Sequence, residues 1–380
     1  MKNDTYFVSR IFDGEQIHNE CLVTVRDGRI ETLEPNASRR SPYEKLNGLL
    51  VPGFVDLQIN GGGGVQFNHA PSLPTLTKMS SAHSLTGTTS MLPTIMTDSF
   101  AVMEQGANAV AQALSQDISC IVGIHFEGPH LSVAKKGMHS GEHIRGLSDK
   151  EIALFTRKDI GNVLVTVAPE QVSTHDIALL VKEGVTVFLG HSNASVEVAQ
   201  AAIDAGAVGF THLYNAMSGL SAREPGLVGC ALASTTTYAS IIADLIHVNP
   251  YNIRLALNAL SSNKLFLVTD AMAPSASKET SFYYADEKID LKDQRLVTNK
   301  GNLAGSVLTM IDAVRNLSLT MRVPLELCLK MATSTPAKAI GREKSLGYLK
   351  PGMPADFLLL NEALEIDGVW KHGQLISEGS

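Results

Sequence analysis

Cysteine is scarce in this 380-residue chain: Cys21, Cys120, Cys230 and Cys328 stand far apart and form no C-x-x-C pair. Their scatter excludes a cysteine zinc site and fits reduced thiols. Basic residues are outnumbered, 31 Lys and Arg against 38 Asp and Glu, for a formal net charge of −7. That balance argues against a nucleic-acid backbone or an anionic membrane surface as partner, although a few local cations can still hold a small anionic substrate. No apolar run is long enough to span a bilayer, and MKNDTYFVSRIFDG lacks the apolar core of a signal peptide. The chain therefore reads as soluble and cytoplasmic. Repeats and low-complexity segments are missing too, while 44% hydrophobic and 18% charged residues exclude a disordered chain. No G-x-G-x-x-G follows the first strand of a strand–helix–strand unit, which counts against an open dinucleotide-binding sheet.

What is present is β structure at both ends and a regular alternation between them. In LVTVRDGRIETL, Asp27-Gly28 separates two strand-like segments, a strong hairpin signal. The closing stretch GYLKPGMPADFLLLN and GVWKHGQLI looks similar, so the two ends can pair in a small sandwich. In between, apolar runs recur at VPGFVDLQI, TSMLPTI, CIVGIHF, VLVTVA, VTVFLGH, VGFTHLY, YASIIADL and KLFLVTD, eight in all. Most are separated by helix-like spacing such as SVEVAQAAIDAG, the pattern of a parallel sheet covered on both faces. The expectation is an α/β fold: a (β/α)8 TIM-like barrel over residues 51–346 with a small β-sandwich domain from residues 1–50 and 347–380. GSVLTMIDAVRNLSLTM and LELCLKMATSTPAKAIG read as amphipathic helices closing the barrel.

Chemistry-bearing residues follow the strands. HFEGPH, GHSNA, THLYNAM and VTDAMAP put Glu127, His191, His212 and Asp270 at strand ends, where a barrel carries its active site. Singly, each has a plain alternative: a solvated carboxylate, a satisfied histidine, a helix-capping or turn aspartate. Together, one carboxylate and two imidazoles supply three ligands and leave a fourth position for water, as in catalytic zinc sites. Asp270 then reads as the general base that takes a proton from that water. The first strand carries Gln58 and Asn60 where many metal hydrolases have H-x-H, and neutral amides are poor ligands for zinc-class ions. One divalent metal is expected, with Gln58 and Asn60 as vestigial positions of a second; zinc is the default, and iron, nickel or cobalt also suit the donors. Gly61–Gly64 reads as a tight loop, because no P-loop lysine or helix follows.

The motifs EGPHL, KKGMH, GHSNA, THLYNAM with REPG, ADLIHV, VTDAMAP and LAGSVLTM resemble those of the N-acetylglucosamine-6-phosphate deacetylases of the amidohydrolase superfamily, in order and spacing, from about Gly14 onwards. The resemblance implies Glu127, His191 and His212 as metal ligands, Asp270 as acid/base, and His139 as the group that stabilises the oxyanion. It further implies substrate contacts from Met138, Asn215, Ala216, Leu303, Ala304 and Gly305, and a phosphate site from His247 and Arg223. The arginine would reach across the interface of a homodimer; without the resemblance, Arg223 beside Glu224 is a surface ion pair. The implied reaction is deacetylation of a hexosamine 6-phosphate in amino-sugar catabolism. Rival readings are the galacto epimer as substrate, a cyclic amide as substrate, or an inactive barrel acting as a scaffold. SFYYADEKIDLKDQRLVTNKGN matches the family poorly.

Overall fold

The structure, a computed structural model, describes residues 3–37, 42–118, 120–260, 263–284, 287–299 and 301–378. Residues 1–2, 38–41 and 379–380 of the expected terminal unit lie outside them. All eight apolar runs form parallel strands: Phe54–Ile59, Thr88–Met96, Gly123–Glu127, Asn162–Val167, Thr186–Leu189, Gly209–Phe210, Tyr238–Ile241 and Leu265–Leu267, hydrogen-bonded in chain order. The first two are buried along their whole length. Such continuous burial explains why they read as unbroken apolar runs, since helices cover the outside and the barrel core fills the inside.

The ring closes between its first and eighth strands. Asp270 N donates to Gln58 O at 3.0 Å, and Asn60 N and Gly61 N both donate to Ala271 O at 2.9 Å. Beside this seam the Thr269 hydroxyl donates to Asp56 Oδ2 at 2.6 Å. Closure thus sets the Gln58 and Asn60 side chains next to Asp270. Covering helices start where the sequence offers caps: Ser99 Oγ accepts from Val102 N, Ser173 Oγ from Asp176 N, and Ser148 forms a capping box with Glu151.

The terminal segments form the small β domain expected from the two chain ends, its seven strands hydrogen-bonded in one sheet. Phe357–Leu360 pairs antiparallel with Glu44–Pro52, which runs parallel to Asn3–Phe12, so the two chain ends share a sheet. It encloses a core of its own that includes Tyr6, Val23, Leu50, Phe357 and Trp370. The expected hairpin is present, with Asp27 and Gly28 in left-handed conformation at φ 50° and 75°.

Two features differ from the sequence reading. The run after the eighth strand becomes helical only at Met310, because Thr309 Oγ1 caps the helix by accepting from Asp312 N. Met310–Arg315 then passes into a π-helical turn over Asn316–Thr320. The poorly matched segment holds an unforeseen three-stranded antiparallel sheet, Ser281–Tyr284, Glu287–Lys292 and Arg295–Thr298. Its Tyr284, Ile289 and Leu296 pack with Met96, Met272 and Ala304 beside the strand ends. Among the described residues no helix is long and apolar enough to cross a membrane.

Candidate active site

Glu127 is the last residue of the third strand, and His191, His212 and Asp270 each follow the end of a later one. These three occupy the left-handed region, at φ 47°, 34° and 51°. For a residue with a Cβ this costs on the order of 1–2 kcal/mol each, which the surrounding fold must offset. The turn swings the three side chains inward over the barrel mouth, where all are nearly fully buried or line the same hollow.

Three ligand atoms converge. His212 Nε2 lies 2.9 Å from Glu127 Oε1, His191 Nε2 lies 3.0 Å from His212 Nε2, and His191 Nε2 lies 3.3 Å from Glu127 Oε1. A tetrahedral ion with arms of ~2.0–2.2 Å requires ligand separations of about 3.3–3.6 Å, so this triangle is slightly tight and of the right shape. His191 Nδ1 donates to Lys135 O at 2.9 Å, which turns the bare Nε2 toward the other two atoms. Two imidazoles and a carboxylate oxygen at one point call for a cation. Among the described residues a second overlapping group, Glu127, His139 and His191, also has its ligand atoms within 4.8 Å of one another. In that group His139 Nε2 lies 3.7 Å from Glu127 Oε2.

The remaining groups are arranged around that triangle. Gln58 Nε2 donates to Glu127 Oε1 at 2.9 Å and to Asp270 Oδ1 at 3.2 Å, while Asn60 Nδ2 donates to Asp270 Oδ1 at 2.7 Å. The two amides therefore brace the carboxylates. Burial, and next the charge of Glu127, push the Asp270 carboxyl up to about 6, against the pull of His212 and the Asn60 hydrogen bond. Burial also acts to raise Glu127, but the hydrogen bonds of His191 and His212 outweigh it and hold that carboxyl well below the usual range. His139 is pushed down to about 3, first by burial and then by His191, and so is neutral.

The cavity at this point measures about 180 Å³. Its lining brings together most of the residues picked out from the sequence: Glu127, His139, His191, His212 and Asp270, with Met138, Asn215, Ala216, His247, Leu303 and Gly305. Ala304 does not reach it; its side chain is fully buried against Met96 and Met272. Arg223 is exposed and outside the lining, in the loop before the Gly226–Ala233 helix. Gln58 and Asn60 sit behind the carboxylates they hold. Met96, Ile242 and Met272 line the cavity without having been anticipated, since apolar residues in apolar runs carry no distinguishing signal. Asp244 was missed inside a motif already singled out: it accepts from His247 Nδ1 at 2.6 Å and so orients that ring. A larger hollow of about 600 Å³ lies on the terminal sheet between Asp4, Tyr6, Glu44 and Trp370, but no group of metal-ligating atoms converges there among the described residues.

A match to the amidohydrolase family spans residues 49–376. The chain belongs to the amidohydrolase family. It is 44% identical to an N-acetylgalactosamine-6-phosphate deacetylase of Shewanella, over 99% of this chain and 98% of that one. It is 32% identical to the N-acetylglucosamine-6-phosphate deacetylase of Haemophilus influenzae, over 96% and 97%. The crystal structure of N-acetylglucosamine-6-phosphate deacetylase from Pasteurella multocida superposes with a TM-score of 0.95 at 34% identity, covering 99% of this chain and all of that one. This amidohydrolase therefore shares its fold over its whole length with the proteins its motifs resemble.

Proposed function

We propose that this amidohydrolase hydrolyses the 2-acetamido group of N-acetylglucosamine 6-phosphate, giving acetate and glucosamine 6-phosphate, as a cytoplasmic enzyme of amino-sugar catabolism. The observation that carries the reading is the meeting of Glu127, His191, His212, Asp270 and His139 around one cavity, in a chain whose full-length relatives bear deacetylase names. A divalent ion held by Glu127 Oε1, His191 Nε2 and His212 Nε2, with zinc best suited to this donor set and iron, nickel or cobalt also accommodated, would acidify water and polarise the acyl oxygen.

The protein groups do the rest. Both amide donors occupy Asp270 Oδ1, so Oδ2 takes the proton of the attacking water and passes it to the departing amine nitrogen. A carboxyl raised to about 6 is ionised at neutral pH yet basic enough to hold that proton in passing. His139 donates to the acyl oxygen as negative charge develops there, a contribution of ~3 kcal/mol in comparable sites. Met138, Asn215, Ala216, Leu303 and Gly305 face the sugar, and Ala304 supports that loop from beneath. His247, aimed by Asp244, meets the phosphate. Arg223, exposed on this subunit, is assigned to the phosphate of a neighbouring subunit in a homodimer, where its planar fork suits phosphate oxygens.

The galacto epimer is the second reading, favoured by the 44% identity to the Shewanella relative that carries that name. Amine release from both 6-phosphates by metal-reconstituted protein decides between them. Faster turnover of the gluco substrate supports the first reading, faster turnover of the galacto substrate the second, and no turnover of either removes both.

A further inference from the structure

Thr97 follows the end of the second barrel strand, Thr88–Met96, and belongs to no motif singled out in the sequence. It is buried, and it touches His139 twice. The Thr97 backbone N–H donates to His139 Nδ1 at 3.3 Å, and its hydroxyl oxygen lies 2.9 Å from the same nitrogen. That hydroxyl is also 3.2 Å from the carbonyl oxygen of Glu127. Gly128 makes the close approach possible: at φ +85° it carries no side chain, and a Cβ there would stand 2.3 Å from Thr97 Oγ1.

These contacts bear on which nitrogen of His139 holds the proton. An imidazole tautomer is read from its hydrogen-bond network, and a hydroxyl is ambiguous because it both donates and accepts. A backbone N–H is not ambiguous. Facing it, Nδ1 must present its lone pair, so in the neutral ring the proton sits on Nε2. Nε2 is the atom on the cavity side, 3.7 Å from Glu127 Oε2. With a proton, it is a hydrogen-bond donor beside the triad of ligand atoms. Without one, it is a fourth ligand atom, since Glu127, His139 and His191 already meet the spacing of a metal site.

We propose that Thr97 is a positioning residue that fixes His139 in the Nε2–H tautomer, so that His139 donates to the substrate's acyl oxygen instead of joining the metal's ligands. The second half rests on the deacetylase reading above; the tautomer itself does not.

The test uses zinc-loaded full-length protein with 15N-labelled histidine, the His139 resonances being identified by their loss in His139→Gln. The expected spectrum shows an unprotonated Nδ1 and a protonated Nε2. A protonated Nδ1, or an Nε2 shifted by bound metal, overturns the proposal. Thr97→Val keeps the backbone N–H and the side-chain shape but removes the hydroxyl. Because the backbone donor is kept, the Nε2–H form should persist in this variant, while kcat should fall about 10-fold or more, as for other residues that orient site histidines, with KM little changed. Thr97→Ser should restore the rate. Wild-type kcat in Thr97→Val would refute the role of the hydroxyl, and the appearance of an Nδ1–H form would refute the role of the backbone N–H. A protein that shows the Nε2–H tautomer but deacetylates neither sugar phosphate would sink the functional reading and leave the tautomer assignment standing.

Discussion

Replacing Asn60 by leucine tests how the general base is held. Leucine matches the shape of asparagine but cannot donate, so it removes the 2.7 Å hydrogen bond to Asp270 Oδ1 and leaves the backbone links of residue 60 to Ala271 and Phe67 in place. A hydrogen bond to a charged acceptor contributes ~1.5–3 kcal/mol. Gln58 still reaches Oδ1, though at 3.2 Å and shared with Glu127, so the lower part of that range applies. At ~1.4 kcal/mol per factor of ten, kcat/KM should fall about 10- to 30-fold. The direction of the pH effect follows from which form Asn60 favours. Its N–H stabilises the ionised carboxylate and so opposes the burial and the Glu127 charge that raise Asp270 to about 6. Removing it raises the pKa further, and a base works only when deprotonated. The acid limb of the kcat/KM profile should therefore move up by about one pH unit or more. Steady-state amine release across pH 5 to 9 reads both quantities. An unchanged acid limb with a lowered rate would refute the argument, because the asparagine would then be acting through packing alone.

Three further outcomes are expected. Lys371→Met should cost about 3 kcal/mol of stability, because it strands the nearly buried Asp356 carboxylate that Lys371 Nζ meets at 2.6 Å; urea midpoints check this, and kcat should stay within about twofold. Gly128→Ala should lower both Tm and kcat, since it adds ~1–2 kcal/mol of left-handed strain at φ +85° and drives a methyl into the Thr97 hydroxyl. Arg223→Ala should raise KM for the sugar phosphate with kcat largely kept, the signature of lost uniform binding.

The barrel was legible because each of its strands is buried on both faces, which writes an apolar run into the chain that no surface segment imitates. The Asp27-Gly28 turn was legible because left-handed φ values select such pairs. The small sheet over residues 281–298 was not, although it turns at Asp293 and Gln294 with φ 49° and 63°. A turn of that shape made without glycine gives no punctuation to read, and its last two strands mix buried, half-buried and exposed positions. The terminal β domain was legible because both chain ends carry short alternating runs, and Phe357–Leu360 does pair with Glu44–Pro52.

The site divides along a similar line. Glu127, His191, His212 and Asp270 could be found because four unusual polar residues each followed an apolar run. Thr97 meets the His139 ring through its backbone N–H and its hydroxyl, and Asp244 meets the His247 ring through one carboxylate oxygen; nothing in their identity or spacing distinguishes them from ordinary loop residues. Ala304 shows the opposite limit: a motif match names a loop, but only the packing against Met96 and Met272 reveals which of its side chains turn away from the cavity.

The central claim is that Asp270 shuttles the proton in hydrolysis of the acetamido group at this site. The most direct test is amine release from N-acetylglucosamine 6-phosphate and its galacto epimer by metal-reconstituted wild type beside Asp270→Asn at matched metal content. Turnover of one epimer by the wild type, with kcat lowered about 100-fold or more in the variant, is the predicted result. Equal kcat in the two proteins would contradict it.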